Sequence, residues 1–161
     1  MTAGKILASM LVLSALMTGI VVYYLQVHGF YEPVEEFAGA REIQVINDDM
    51  QPMALAVSDF RGIDSDSSPL RYRSCFLLDD PAQLANARPY GNATPLVGPG
   101  WFSCFSAKGL TGDLEAGSAK AYLVEENIHH AVDRVMAVYP DGRAFAWHQL
   151  NESAEEKKVI E

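Results

Sequence analysis

The chain has 161 residues, 49% of them hydrophobic and 20% charged, with seven Phe, seven Tyr and two Trp. This composition excludes a disordered chain, a coiled coil and collagen. The net charge of −9 argues against nucleic-acid binding, which requires a basic surface. Residues 1–28 differ in composition from the rest, and the roughly 133 residues that follow suit one ordinary domain.

The first element is an apolar segment over residues 6–25, which contains no charged residue. At about 1.5 Å per residue, a helix of this length crosses the roughly 30 Å hydrocarbon core of a bilayer. A cleaved signal peptide is the alternative, because Lys5 precedes the segment. A signal peptide has a shorter apolar region and a small-residue cleavage site, whereas Tyr23 and Tyr24 end this segment. We therefore predict a single-pass transmembrane anchor over residues 1–28.

Charge around the segment predicts its orientation. Lys5 and the amino terminus lie before it, and the first basic residue after it is Arg41. The positive-inside rule then places the N-terminus in the cytoplasm, the anchor in the inner (plasma) membrane and the domain in the periplasm of a Gram-negative cell. Without Lys5, 11 basic residues face 21 acidic ones beyond residue 28, which gives that part a charge of −10.

Small residues recur along the anchor at Gly4, Ala8, Ala15 and Gly19. At 100° per residue they fall within about 60° of one helical face. A stripe of small residues lets another transmembrane helix approach closely, so we predict helix docking there. Chance is the alternative, because Gly and Ala are common in membrane helices.

The first half of the remaining chain is predicted to contain a stalk and three strands. Residues 29–40 indicate a stalk with a helical turn, and alternating apolar residues predict a hairpin of 42–47 with 53–58. Residues 70–78 form a further strand, with Leu70, Tyr72, Ser74 and Phe76 on one face and Arg71, Arg73, Cys75 and Leu77 on the other.

Two short helices are predicted next, at residues 81–87 after an aspartate cap and at 106–116 before Gly117. The Pro- and Gly-rich segment 88–100 between them is predicted to be loop, and 119–125 a strand.

The clearest local pattern spans residues 131–150, where two strands flank Pro140, Asp141 and Gly142. Pairing Tyr139 with Arg143 sets the following cross-strand pairs: Val138 with Ala144, Met136 with Ala146, and Arg134 with His148. Val135, Ala137, Phe145 and Trp147 then share the opposite face.

Together these elements predict an α+β fold with a mainly antiparallel sheet in one domain, residues 41–150, followed by a charged tail at 151–161.

Two cysteines, Cys75 and Cys104, both stand in Ser-Cys-Phe. An even count in an oxidising compartment predicts a disulfide. Metal-binding thiols and a buried reduced pair are the alternatives, and the spacing excludes a C-x-x-C redox motif.

Candidate metal ligands are His129, His130 and His148. Adjacent histidines on an extended chain point to opposite faces, and a histidine opposite Arg134 is typical of a hydrogen-bonded core residue. We therefore predict no metal and no other cofactor.

A polar cluster is predicted where Asp64 and Asp66 lie across a turn from Arg71 and Arg73. A structural ion-pair network is one interpretation, and a polar ligand pocket is the other.

Most of the chain resembles a known family through the segments IDSDSSPLRYRSCF, PGWFSCF and NIHHAVDRVMAVYPDGRAFAWHQLN, behind a GKIL anchor that leads to YYLQV. They are similar to a domain-of-unknown-function family of small alphaproteobacterial membrane-anchored proteins. The resemblance implies no activity and no catalytic residues. Its members are sometimes labelled histidine kinases, but this sequence lacks the ATP-binding glycine boxes of such enzymes.

We find no Ser-His-Asp order, phosphate loop or H-E-x-x-H motif. The sequence therefore favours a non-catalytic accessory, assembly or scaffold protein of an inner-membrane complex, with a respiratory complex as one candidate. Its expected partners are a membrane protein, bound through the transmembrane helix, and a basic soluble protein such as a cytochrome c. The alternative is a periplasmic ligand-binding or sensor domain, and an enzyme ranks third.

Overall fold

The computed structural model describes residues 2–156. The chain divides into two units between residues 31 and 32. The first unit contains helix α1 (Ala3–Tyr24) and a π-helical turn (Leu25–Gly29). No residue of α1 is buried, and the stretch Ala3–Gly29 is long and apolar enough to cross a membrane. Both a membrane anchor and a signal sequence meet this criterion.

The second unit is the domain, and its elements in chain order are β1 (Glu32–Val34), α2 (Glu36–Arg41), β2 (Gln44–Ile46), β3 (Pro52–Ala54), β4 (Val57–Asp64), β5 (Arg73–Leu78), a 3₁₀ helix (Pro81–Asn86), α3 (Ala107–Glu115), β6 (Lys120–His129), β7 (Val132–Val138), β8 (Arg143–Leu150) and α4 (Ser153–Glu156). Six strands form one antiparallel sheet in the order β1-β4-β5-β8-β7-β6, and β2 pairs with β3 in a separate hairpin. The α+β fold with a mainly antiparallel sheet is thus confirmed.

The hairpin of β7 and β8 has the predicted register. Val138 pairs with Ala144 and Arg134 with His148. Gly142 adopts a φ of +89°, the left-handed conformation that the turn requires and that glycine tolerates best.

The segment predicted as a stalk, residues 29–40, contributes β1 and α2 instead. Glu35 caps α2 by accepting hydrogen bonds from the backbone of Phe37 and Ala38. A side chain at Gly39 would lie within 2.2 Å of the Phe60 ring, so this glycine lets α2 pack closely against β4.

The strand predicted at 53–58 is also divided. Residues 52–54 pair with β2, whereas Val57 and Ser58 begin β4. Strand β6 continues to His129, four residues past its predicted end, through two irregularities in its pairing with β7.

The two short helices form near their predicted positions. Asp80 caps the 3₁₀ helix and Ser106 caps α3. The charged tail begins with α4, and its last five residues lie outside the described part of the chain.

Apolar clusters cover both faces of the sheet. One packs against the β2–β3 hairpin and the 3₁₀ helix, and it includes Ile43, Val45, Tyr72, Phe76 and Met136. The other packs against α3 and includes Phe105, Leu110, Val135, Ala137 and Trp147. As predicted, the side chains of β7 and β8 alternate between these faces.

Candidate functional site

One end of the sheet carries buried polar side chains on both faces. We call it the polar end, and it consists of Tyr72, Arg73, Asp133, Arg134, His148 and Gln149. Cross-strand pairing brings them together, because Asp133 lies opposite Gln149 and Arg134 opposite His148. Since neighbouring residues on a strand point to opposite faces, each pair occupies its own face.

On the first face, Arg134 and His148 pack with Tyr72. Arg134 Nε donates a hydrogen bond to His148 Nε2 over 3.0 Å, and the guanidinium carbon lies 4.2 Å from the centre of the Tyr72 ring. An arginine only donates, so His148 Nε2 must be the unprotonated nitrogen. The proton then lies on Nδ1, which donates to the Pro69 carbonyl oxygen over 2.7 Å.

This environment keeps His148 neutral. Burial, and secondly the charge of Arg134, lower the pKa of His148 to about 3. Arg134 also forms an ion pair with Glu42, with 3.3 Å between Nη1 and Oε2. The first face therefore connects the sheet to the loop before β5 and to the end of α2.

On the second face, the Asp133 carboxylate accepts three hydrogen bonds. Its Oδ1 accepts from the backbone N–H of Asn127 at 2.9 Å and from Asn151 Nδ2 at 2.7 Å, and Oδ2 accepts from the Tyr90 hydroxyl at 3.0 Å. Asp133 is only 5% exposed. Burial, followed by the charge of Asp133, raises the pKa of Tyr90 well above its usual value, so the phenol stays protonated.

Gln149 holds the loop that passes over this face. Its Oε1 accepts from the backbone N–H of Thr94 at 2.7 Å and from Trp147 Nε1 at 2.9 Å. Its Nε2 donates to the Asn92 carbonyl oxygen. Both ends of the buried amide are therefore used, as a buried amide requires.

A cleft of about 800 Å³ opens at the second face of the polar end. Asp133, Tyr90 and Gln149 line it, and the exposed carboxylates of Glu126 and Glu152 belong to its wall. Its volume falls within the range of about 300–1,000 Å³ that is typical of ligand sites. Because the buried Asp133 and Gln149 hold the surrounding loops through hydrogen bonds, the wall of the cleft is preorganised.

The four residues predicted as a polar pocket do not line this cleft. Arg73 is buried and donates hydrogen bonds to the carbonyl oxygens of Leu96 at 2.7 Å and Leu70 at 2.8 Å. It therefore holds the loops that contain these two residues in place. Asp64 is half-buried, which raises the pKa of its carboxyl, and accepts from the Ser65 N–H. Asp66 is exposed and Arg71 half-buried. A pocket at these four residues stays a prediction.

The other predicted site residues are placed as follows. Cys75 and Cys104 form a disulfide that joins β5 to the loop before α3. His129 lies edge-on to His148, with ring centres 6.0 Å apart. Within residues 2–156, no three His, Cys, Asp or Glu side chains converge as a metal site would require. Gly4, Ala8, Ala15 and Gly19 are exposed on α1, and their docking role stays a prediction.

Sequence reasoning missed Asp133, Gln149 and Tyr90. The predicted pairing of Arg134 with His148 already places Asp133 opposite Gln149 on the other face, so the register contained this signal. No local pattern indicated that Tyr90 contacts Asp133, because the two residues are 43 positions apart in the sequence.

The chain matches the Family of unknown function (DUF6446) over residues 43–158 and belongs to that family. No curated protein and no solved structure matches it. The matched region contains the polar end and both cysteines.

Proposed function

We propose that this protein is a non-catalytic accessory protein of an inner-membrane complex, anchored by α1, whose domain binds a partner through the cleft at the polar end. The observation that carries the proposal is the cleft itself, with its buried and fully hydrogen-bonded Asp133 and Gln149. Because the buried Asp133 and Gln149 hold the loops around the cleft, the cleft keeps one geometry before and after binding, which suits recognition.

Charge indicates the kind of partner. The chain beyond residue 28 carries −10, and the cleft wall includes the exposed Glu126 and Glu152. Such a surface attracts a basic soluble protein, for example a cytochrome c, and salt weakens this attraction. The proposed partners are thus a membrane protein beside α1 and a basic protein at the cleft, with a respiratory complex as one candidate assembly.

The proposed location is the inner membrane, with the N-terminus in the cytoplasm and the domain in the periplasm. Lys5 in the first turns of α1 and the absence of a Lys or Arg between it and Arg41 support this orientation. The resemblance to alphaproteobacterial membrane-anchored proteins supports the cellular context, and the disulfide is consistent with an oxidising compartment.

A ligand-binding or sensor domain is the second candidate function. The volume of the cleft favours it, because about 800 Å³ accommodates a small molecule. This candidate uses the same polar groups but requires no protein partner.

Affinity purification of the full chain in mild detergent tests both candidates. We expect membrane subunits to co-purify, and reversal of the cleft charges by Glu126→Lys with Glu152→Lys to remove the basic partner. The matched control reverses two exposed carboxylates outside the cleft, Asp48→Lys with Asp49→Lys. Equal loss in both variants contradicts the cleft as the site, and a retained small molecule without subunits favours the sensor.

The helix stripe has its own test. Replacing Gly4, Ala8, Ala15 and Gly19 with Leu fills the small-residue face, so we expect the membrane partner to be lost while the domain stays folded. Unchanged co-purification of this quadruple variant contradicts docking through the stripe.

A further inference from the structure

The segment over residues 95–102, which we call the apolar loop, displays large apolar side chains to solvent. Val97 is 83% exposed and Trp101 is 43% exposed. Large apolar side chains presented together on a folded domain commonly mark an interaction surface.

The apolar loop is held in place by the domain. Arg73 donates from Nε to the Leu96 carbonyl oxygen at 2.7 Å and from Nη2 to the Val97 carbonyl oxygen at 3.2 Å. The Phe102 N–H donates to the Pro99 carbonyl oxygen, and the disulfide of Cys104 follows two residues later. The exposed side chains are therefore presented on a fixed backbone.

Charge is absent from the apolar loop and from its flanks. No Asp, Glu, Lys or Arg occurs from residue 89 to residue 107, although the chain beyond residue 28 carries −10. The other strongly exposed aromatic of the domain, Phe37, differs because it follows Glu35 and Glu36 and lies beneath the Arg41 guanidinium. The flanks of the apolar loop are therefore polar but uncharged, as at the exposed Thr94 and Ser103.

We propose that the apolar loop contacts the lipid headgroup region of the bilayer in which α1 is anchored, an inference that rests on the proposed anchoring. Tryptophan is enriched at this depth because its ring is apolar and its N–H remains hydrated. An uncharged surface enters it without the desolvation penalty of a charge. The candidate span ends at Gly29 and the domain begins at Glu32, so tethering gives the loop a high effective concentration at the bilayer.

Lipid-borne quenchers test this contact in the full chain. The protein is reconstituted into phosphatidylcholine vesicles with and without brominated acyl chains, and tryptophan emission is compared. The chain has two tryptophans, and Trp147 is fully buried, so brominated lipid is expected to quench only the part of the emission that comes from Trp101. In Trp101→Phe we expect brominated lipid to have no effect on the remaining signal.

A second pair of variants separates a lipid contact from a change in fold. Val97→Ser is expected to weaken quenching of Trp101, whereas Met50→Ser, at a site that is 45% exposed, is expected to leave it unchanged. Flotation of the vesicles reports anchoring independently.

The flotation and quenching results together distinguish failure of the lipid contact from failure of the anchoring. A chain that floats, but whose Trp101 is quenched by aqueous acrylamide and not by brominated lipid, overturns the contact and leaves the anchoring intact. A chain that fails to float contradicts the anchoring and the contact together. Quenching that persists in Trp101→Phe also overturns the proposal, because it then arises from Trp147.

Discussion

The two ends of the central sheet are built differently. Near the turn between β7 and β8, the side chains are apolar on both faces, as in the pairs Met136 with Ala146 on one face and Ala137 with Phe145 on the other. At the polar end the same two strands contribute Asp133, Arg134, His148 and Gln149. Trp147 lies between the two ends, with its ring in an apolar cluster and its N–H on Gln149.

Apolar packing holds the sheet together near the turn, whereas specific hydrogen bonds do so at the polar end. Apolar packing tolerates exchange between side chains of similar volume. A buried polar group instead needs a specific partner at a specific place, because an unsatisfied donor or acceptor is costly. The polar end obtains its partners from distant loops, through Tyr90, Pro69 and Asn151. It therefore determines where those loops lie, and with them the cleft.

The largest expected loss of stability follows substitution of Trp147, which lies between the two ends of the sheet. Trp147→Ala removes the largest fully buried side chain and should lower the free energy of unfolding by about 3–5 kcal/mol, out of the roughly 5–15 kcal/mol typical of a domain. Pulse proteolysis of residues 29–161 measures the loss. The control is Trp101→Ala at an exposed site, where we expect less than about 1 kcal/mol. A Trp147→Ala domain that resists cleavage as well as the parent would contradict this role of Trp147 in the core.

The second prediction concerns the hydrogen bonds that Asp133 makes at the polar end. Asp133→Ala removes the acceptor of the Tyr90 hydroxyl and of the Asn127 N–H, and one of the two acceptors of the Asn151 amide, so we expect a loss of about 2–3 kcal/mol in urea unfolding. Asp133→Asn keeps one acceptor oxygen and should lose less. If the alanine variant is as stable as the parent, the hydrogen bonds of Asp133 do not stabilise the polar end.

The smallest effect is a dependence of stability on pH. His148 stays neutral in the folded state because its pKa is about 3, whereas an unfolded histidine titrates near 6.5. Between these values the unfolded state binds the additional proton, so stability falls as the pH falls, by at most about 1.4 kcal/mol per pH unit. Urea unfolding between pH 7 and pH 5 measures this slope, in a range above most carboxyl pKa values.

The matched variant for this experiment is His148→Asn, which carries no titratable group at this position. We expect a lower stability at pH 7 and a flatter pH profile than in the parent. Identical slopes in the two proteins would mean that His148 is protonated in the folded state, and the hydrogen bond from Arg134 would then be absent.

Local sequence patterns predicted the structure near the turn between β7 and β8 well, but they predicted the polar end only in part. The turn at Gly142 sets the register of β7 and β8, and the register places Val135 and Trp147 on one face. A helical turn was predicted in the segment of α2, but its packing on the sheet was missed because that packing depends on Gly39 meeting Phe60, a contact between distant parts of the chain. The cleft was missed for the same reason, since Tyr90 reaches Asp133 across 43 residues.

In a protein anchored as proposed above, the short strand β1 has a further consequence. It covers the outer side of β4 with three residues, one of which is Pro33 and cannot donate a backbone hydrogen bond. At the opposite border of the sheet, residues 88–90 pair with the first half of β6. Long open strand edges pair with neighbouring copies and cause aggregation, and anchored molecules meet each other often. These short partners at both borders therefore reduce the length of strand edge through which copies of this domain could join their sheets.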